Sequence, residues 1–125
     1  MIFDTDVLVW YLRSNEKAIR LLDETPDPRM SVVTYMELLQ GARDKRDAQA
    51  IRVSLSNLAF QTLPLTESIG SRACIYIEQY ALTTALTIPD ALLAATAVES
   101  AMTLCTGNVK HYKAVADLDL KVFRP

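Results

Sequence analysis

The sequence predicts an α/β fold, a three-layer α/β/α sandwich around a mostly parallel central sheet. Three observations support this. Short apolar segments of strand length alternate along the chain with longer helical segments. Half of the 125 residues are hydrophobic and only three are glycine, so the chain can bury a core and should not stay disordered. No repeat, linker or change of composition divides it, so residues 1–125 are expected to form one domain.

Elements in the first half of the chain are marked by their caps and breakers. In order, we predict a strand ending at Asp4, helices over 7–12 and 15–24, a strand over 30–33, a helix over 34–43, and an amphipathic helix over 48–58. Asn15 is the expected cap of the second helix, and the run Thr25-Pro26-Asp27-Pro28 ends it. The charged residues 43–47 are expected to form a solvated turn.

The second half continues the alternation. We predict a strand over 60–65, a helix over 66–82, a loop over 83–87, a helix over 90–101, a strand over 102–105, a short helix over 108–115 and a last strand over 120–123. Pro64 interrupts the third strand, which marks it as an edge strand. Thr66 should cap the long helix, and Pro89 suits the first turn of the next one. That helix has almost no polar face and should be buried.

Composition limits the possible locations and partners. The net charge of −2 gives no overall attraction to nucleic acid or to an anionic membrane, so a polyanion would have to be bound locally. No apolar run is long enough to span a membrane, and Met1 leads directly into the first strand. We therefore expect a cytoplasmic protein without a signal peptide. Cys74 and Cys105 are expected to be reduced core residues.

Four polar residues share one context, since each follows an apolar segment and stands at a predicted helix start. They are Asp4, Glu37, Asp90 and Asn108. Right-handed crossovers would bring the strand ends near residues 4, 33 and 105 to the same edge of the sheet. Each residue also has a purely structural explanation. Asp4 and Asn108 could be N-caps, and the Glu37 and Asp90 segments fit capping boxes with Thr34 and Thr87.

A metal ion is the second explanation for the acids. Asp90 opens the most apolar helix, so its carboxylate is expected to point inward. Three carboxylates at one edge would repel one another, and their pKa values would rise unless a cation were present. Ligands that are all oxygen favour Mg²⁺, or Mn²⁺, over Zn²⁺. A water activated by such an ion can attack a phosphodiester.

Four segments in the same order resemble a known family. The pattern is similar to PIN-domain ribonucleases, and most closely to the VapC-type toxins of bacterial toxin–antitoxin pairs. The resemblance covers the whole chain, including the closing residues 120–125. The four segments are Ile2-Phe3-Asp4-Thr5-Asp6-Val7-Leu8-Val9, Ser31-Val32-Val33-Thr34-Tyr35-Met36-Glu37-Leu38-Leu39-Gln40-Gly41, Ile88-Pro89-Asp90-Ala91-Leu92-Leu93-Ala94-Ala95-Thr96-Ala97 and Leu104-Cys105-Thr106-Gly107-Asn108-Val109-Lys110-His111-Tyr112.

The resemblance implies a PIN-like fold with a catalytic set of Asp4, Glu37, Asp90 and Asn108. The three acids match the family's metal ligands. Asn108 matches a fourth position that is often Asp, and its amide adds no charge and cannot act as a base. The implied activity is Mg²⁺-dependent cleavage of RNA, with transfer RNA as one candidate substrate, leaving 5′-phosphate and 3′-hydroxyl ends. A small VapB-like antitoxin would cover the acidic pocket with its C-terminal segment.

Other residues are assigned roles around this set. Thr5 and Thr106 match supporting hydroxyl groups, and Asp6 is close enough to assist. The candidate RNA contacts are Arg13, Lys110 and His111, since phosphate contacts position a strand without reading its sequence. Asp117 and Asp119 are expected to be loop acids. Four residues of the long helix add more apolar surface than one core face needs, which predicts a homodimer: Ile75, Tyr76, Ile77 and Tyr80.

Two other functions remain open. Asp4-Thr5-Asp6 fits the start of a haloacid-dehalogenase-like phosphatase with Asp4 as nucleophile, although the chain lacks that family's closing acidic pair. A non-enzymatic, partner-binding domain would use the acids only as helix caps. A covalent aspartyl-phosphate would identify the first, and unchanged Mg²⁺ affinity after Asp4→Asn or Asp90→Asn would identify the second.

Overall fold

The predicted α/β fold is confirmed, with a sheet that is parallel throughout. The computed structural model describes all 125 residues. Five strands follow the order β3-β2-β1-β4-β5 in the sheet. The elements are β1 Ile2–Phe3, α1 Thr5–Leu12, α2 Glu16–Asp23, β2 Arg29–Ser31, α3 Val32–Gln40, α4 Lys45–Asn57, β3 Gln61–Leu63, α5 Glu67–Tyr80, α6 Ile88–Glu99, β4 Leu104–Thr106, α7 Val109–Tyr112 and β5 Leu120–Val122.

The sheet separates two hydrophobic cores, which makes the three layers. Successive side chains of a strand point to opposite faces. Ile2 of β1 and Leu104 of β4 therefore pack on one face with α5 and α6, whereas Phe3 and Cys105 pack on the other with α1 to α4. All four side chains are fully buried.

The centre of the sheet is also the point where the chain changes direction. From β1 the chain adds β2 and then β3 on one side, and it later returns to add β4 and β5 on the other. The main chain of β1 is bound on the β4 side by Ile2 N to Thr103 O and Asp4 N to Cys105 O, both 2.9 Å. Open parallel sheets form their ligand sites at such a switch point, beyond the carboxyl ends of the strands. Here that position is occupied by Asp4.

Helix α3 begins earlier than predicted because a different residue caps it. The Ser31 hydroxyl accepts a hydrogen bond from the Val33 amide at 3.1 Å, so the helix starts at Val32 and the preceding strand ends at Ser31. Thr34 therefore lies inside the first turn, where it is 1% exposed. The predicted capping box of Thr34 and Glu37 is wrong, so the Glu37 carboxylate does not cap α3.

The charged run 43–47 was predicted to be a solvated turn, but its last three residues, 45–47, form the first turn of α4. Asp44 caps the helix by accepting the Asp47 amide at 2.8 Å, and Asp47 accepts the Arg43 amide at 2.9 Å. The paired Asp and Arg side chains extend the helix three residues beyond the predicted start at residue 48. Predicted caps at Asn15 and Thr66 are confirmed, as is the edge position of β3, which ends immediately before Pro64.

Two predictions about burial need correction. Cys105 is buried as predicted, but Cys74 is exposed on α5, and neither cysteine forms a disulfide. Tyr76 was expected to add surface, yet it is 4% exposed and belongs to the core, while Ile75 is 50% exposed. The cause is the helical repeat, which turns adjacent residues to different sides.

None of the helices combines the length and hydrophobicity needed to cross a bilayer.

Candidate active site

All four members of the predicted catalytic set line one cavity at the carboxyl end of β1. The cavity has a volume of about 190 Å³, and its other polar walls come from Thr5, Asp6, Thr34, Thr87, His111 and Tyr112. Asp4 follows β1, Glu37 lies on α3, Asp90 lies in the first turn of α6, and Asn108 precedes α7. Four separate segments therefore meet where the sheet changes direction.

Asp4 is a buried carboxylate that accepts several hydrogen bonds. It is 7% exposed, and it caps α1 through a 2.7 Å bond from the Thr5 amide to Oδ1. Its Oδ2 accepts the Thr106 hydroxyl at 2.8 Å and the Tyr112 hydroxyl at 3.0 Å. These donors do not offset the loss of water. Burial, assisted by repulsion from the nearby Asp6, raises the pKa of Asp4 to about 6.

Tyr112 connects two of the predicted metal ligands. Its hydroxyl lies 3.0 Å from Asp4 Oδ2 and 3.1 Å from Asp90 Oδ1, and its side chain is fully buried. Burial and the two carboxylates raise the pKa of this phenol, which therefore keeps its proton. A phenol has one proton, so it can donate fully to only one carboxylate at a time. Tyr112 sets the separation of Asp4 and Asp90 without neutralising either.

Asp90 both caps its helix and faces the cavity. The predicted capping box is present, with the Thr87 amide bonded to Asp90 Oδ2 at 3.1 Å and the Asp90 amide facing the Thr87 hydroxyl at 3.4 Å. The same Oδ2 lies 3.1 Å from Nδ1 of His111. The side chain of Asp90 is only 15% exposed, so it points inward as predicted. The structural and functional explanations of Asp90 are compatible.

Glu37 and Asp6 are held in different ways. Glu37 Oε1 accepts the Thr5 hydroxyl at 2.8 Å, and Thr5 also lies 3.2 Å from the buried Thr34 hydroxyl. Asp6 accepts two main-chain amides, from Val7 at 2.8 Å and from Gly107 at 2.9 Å. Thr5 therefore orients an acid, as predicted, whereas Asp6 fastens α1 to the segment after β4.

The remaining predicted residues lie around the cavity. Thr106 donates to Asp4 and accepts the Asn108 amide at 3.0 Å, while the Asn108 side chain makes no cap and is exposed. His111 lines the cavity. Arg13 lines a neighbouring groove that shares Thr5 and Glu37 with the cavity, and Lys110 is exposed on the other side. The structure thus gathers the acids and leaves Arg13 and Lys110 at the margins.

The donor set fits a magnesium ion that keeps part of its water shell. No three His, Cys, Asp or Glu side chains are close enough to form a ligand set by themselves. Mg²⁺ does not require one, because it is commonly held by one or two carboxylates with waters completing the octahedron. Asp4 is buried and the Asp90 side chain is only 15% exposed. Tyr112 links the two carboxylates, and neither forms an ion pair with a lysine or an arginine. Their oxygens are the ligands that could hold such an ion.

Tyr112 and Gly107 were not expected at the site. A Cβ atom on Gly107 would lie 2.7 Å from Asp6 Oδ2 and 3.2 Å from the Phe123 carbonyl, so only glycine allows this approach. Tyr112 lies in one of the four segments that carry the family resemblance. No local signal shows that its hydroxyl reaches Asp4, 108 positions earlier in the chain, and Asp90, 22 positions earlier. Those contacts depend on the pairing of β1 with β4.

Comparison with known proteins agrees with this architecture. The model of the PIN domain family matches residues 1–117. No curated protein sequence matches the chain. A solved toxin–antitoxin complex from Klebsiella pneumoniae contains a chain 27% identical to this one, with a TM-score of 0.79, covering 94% of this chain and 93% of that chain.

Two further solved structures have the same fold. One is FitAcB from Neisseria gonorrhoeae, at 25% identity and a TM-score of 0.76, covering 95% of this chain and 94% of that chain. The other is VapBC2 from Rickettsia felis bound to a promoter DNA fragment, at 21% identity and a TM-score of 0.79, covering 99% and 100%. The resemblance predicted from the four sequence segments is confirmed, and the chain belongs to the PIN domain family.

Proposed function

We propose that this protein is a Mg²⁺-dependent endoribonuclease, with Mn²⁺ as an alternative ion, and the toxin of a toxin–antitoxin pair. The observation that carries the proposal is the cavity that brings Asp4, Glu37, Asp90 and Asn108 together at the carboxyl end of β1. Membership of the PIN domain family supports nuclease chemistry. Solved toxin–antitoxin complexes with the same fold support a small VapB-like antitoxin as partner.

The residues of the chain would prepare the reaction. Asp4 and Asp90 would hold the ion, with Glu37 reaching it through one of the waters that it keeps, and the bound ion would supply Lewis-acid stabilisation and a water of lowered pKa. Thr106 and Tyr112 fix the orientation of Asp4, and outer contacts of this kind set the geometry of metal-binding carboxylates. Asn108 can orient the scissile phosphate by hydrogen bonding but cannot remove a proton. Attack by water on RNA would leave 5′-phosphate and 3′-hydroxyl ends.

The lining of the cavity disfavours a phosphatase with Asp4 as nucleophile. That chemistry needs a lysine and a second acidic pair, and no lysine lines the cavity. A binding domain that uses its acids only as caps is disfavoured by Glu37, which caps nothing and faces the Thr5 hydroxyl instead. Both functions remain outcomes of the test below.

Cleavage of RNA by the purified chain tests the proposal directly. We expect cleavage with Mg²⁺ or Mn²⁺, none with EDTA, and none from Asp90→Asn. Asp119→Asn removes the same charge from an exposed loop and should cleave like the wild type. A folded wild-type chain that cuts no RNA under either metal would contradict the proposal. Phosphate trapped on Asp4 would indicate the phosphatase instead.

The proposed assembly can be tested separately. We propose a homodimer in which the exposed Ile75 on α5 contributes to the contact. Size-exclusion chromatography with light scattering at micromolar concentration should give twice the mass of the 13.9 kDa chain. A strictly monomeric chain would contradict this part of the proposal and leave the nuclease unaffected.

A further inference from the structure

Three cationic side chains surround a shallow depression beside the candidate active site. The depression has a volume of about 360 Å³. We call it the basic patch, and it is lined by Gly107, Asn108, Val109, Lys110, Lys113 and Arg124. Only Lys110 among these cations was expected to contact RNA. The patch contains no acidic side chain.

The fold, and not a run of basic sequence, assembles the basic patch. Lys110 and Lys113 are three residues apart along α7 and its C-terminal cap, so they lie on the same side of the helix turn. Arg124 follows β5, which pairs with β4 through Thr106 and Val122. The Phe123 amide donates to the Thr106 carbonyl at 2.9 Å and places Arg124 next to the start of α7.

The charges of the basic patch are not neutralised within the protein. Lys110, Lys113 and Arg124 are exposed, and none of them forms an ion pair. Two arginines elsewhere in the chain do have acidic partners: Arg43 lies 3.4 Å from Asp47, and Arg72 lies 3.4 Å from Glu99 and 3.1 Å from Asp117. A chain of net charge −2 therefore carries a local group of three free cations.

The basic patch adjoins the cavity that contains the acids. Asn108 lines both the patch and the cavity. His111, next to Lys110 on α7, turns the other way and contacts Asp90 at 3.1 Å. The short helix thus presents cations on one side and approaches the carboxylates on the other. A polyanion resting on the patch would lead directly past Asn108 into the cavity.

We propose that the basic patch binds backbone phosphates of the RNA strand on one side of the bond to be cleaved. This inference rests on the proposed nuclease function and adds the surface that the substrate follows. Free lysine and arginine side chains bind phosphates through charge and do not read bases. The patch therefore supplies affinity and direction, while any sequence preference must come from elsewhere.

The test compares two triple variants with the same change of charge. Lys110→Gln, Lys113→Gln and Arg124→Gln neutralise the basic patch. Lys45→Gln, Arg46→Gln and Arg52→Gln neutralise three exposed cations of α4 that do not line the cavity. Binding of a fluorescent single-stranded oligoribonucleotide is followed by anisotropy in EDTA across a salt series, and cleavage is measured with Mg²⁺.

For the patch variant we expect weaker binding and a shallower salt dependence. Each phosphate contact to a single strand contributes about 0.7 to the slope of log K against log salt, so losing three should lower the slope by about 2. The affinity should fall about a hundredfold near 0.1 M salt, with KM raised and kcat unchanged. The α4 variant should stay within about twofold of the wild type.

Three results would overturn the inference. If the patch variant binds RNA like the wild type while the wild type cleaves it, the basic patch does not bind the RNA backbone, and the proposed function stands. If the α4 variant loses as much affinity, overall charge and not the patch is responsible. If the wild type neither binds nor cleaves RNA, both proposals fail. Arg124→Gln alone, with an expected slope change of about 0.7, keeps the test valid should the triple variant fold poorly.

Discussion

Replacing Asp4 by Asn should stabilise the metal-free protein at pH 7 while abolishing cleavage. The carboxylate is buried, and its pKa is raised from 3.8 to about 6. An acid with a raised pKa in the folded state prefers to be neutral there, so its ionisation opposes folding. The penalty is absent below about pH 4, grows as the pH rises from about 4 to about 6, and is complete at pH 7.

The size of the effect follows from the pKa shift and the hydrogen bonds of Asp4. A shift from 3.8 to about 6 corresponds to a penalty of about 3 kcal/mol on the free energy of unfolding. Asn keeps the capping ability toward Thr5 but loses one acceptor oxygen, which faces Thr106 and Tyr112. That loss costs about 1 kcal/mol. The expected net gain at pH 7 is about 2 kcal/mol.

Urea denaturation in EDTA at pH 7 and pH 4 measures this difference. The variant should be the more stable protein at pH 7 and the slightly less stable one at pH 4, because protonated Asp4 keeps its hydrogen bonds. Asp119→Asn, at an exposed loop position, should change stability by less than about 0.5 kcal/mol at both pH values. A variant that is less stable than the wild type at pH 7 would refute the reasoning. The ionised Asp4 side chain would then stabilise the folded state overall.

Three further changes test other contacts. Gly107→Ala should cost about 1–3 kcal/mol in urea denaturation, because the new Cβ would meet the anchored Asp6 carboxylate at 2.7 Å, and an unchanged stability would contradict this. Tyr112→Phe should destabilise the protein in EDTA by about 2 kcal/mol, since Asp90 Oδ1 loses its bond from the phenol, and a loss under about 0.5 kcal/mol would show that water replaces it. Ile75→Glu should convert the proposed dimer to a monomer in size-exclusion chromatography, and a dimer that persists would place the contact elsewhere.

The parts of the site that depend on local sequence were predictable. Asp4 stands directly after a buried strand, and Asp90 follows a Thr-Ile-Pro start that marks a helix terminus. Both signals act within a few residues, so both carboxylates are where the pattern placed them. The start of α3 was missed because Ser31 and Thr34 are both competent caps, and their order of preference depends on where the strand ends.

The parts that depend on pairing between distant strands could not be predicted. Tyr112 reaches Asp4 only because β4 pairs with β1, and Arg124 joins Lys110 only because β5 pairs with β4. Nothing in the local composition around Tyr112 distinguishes a tyrosine that contacts two carboxylates from one that only fills the core. The same holds for Gly107, where glycine is required by the close approach of Asp6 on α1, 101 positions earlier in the chain.

The order of the strands also bears on when a growing chain could acquire the site. Of the five strands, the central strand β1 is synthesised first. Its neighbour β4 comes more than 100 positions later, and so do Thr106 and Tyr112, the two residues that hold Asp4. Contacts so distant in sequence form only after most of the chain is available. A nascent chain that ends before β4 carries Asp4, Glu37 and Asp90 without the tyrosine and threonine that hold the first of them. Such a chain should lack the proposed nuclease activity, which should appear only after β4 and α7 have been synthesised.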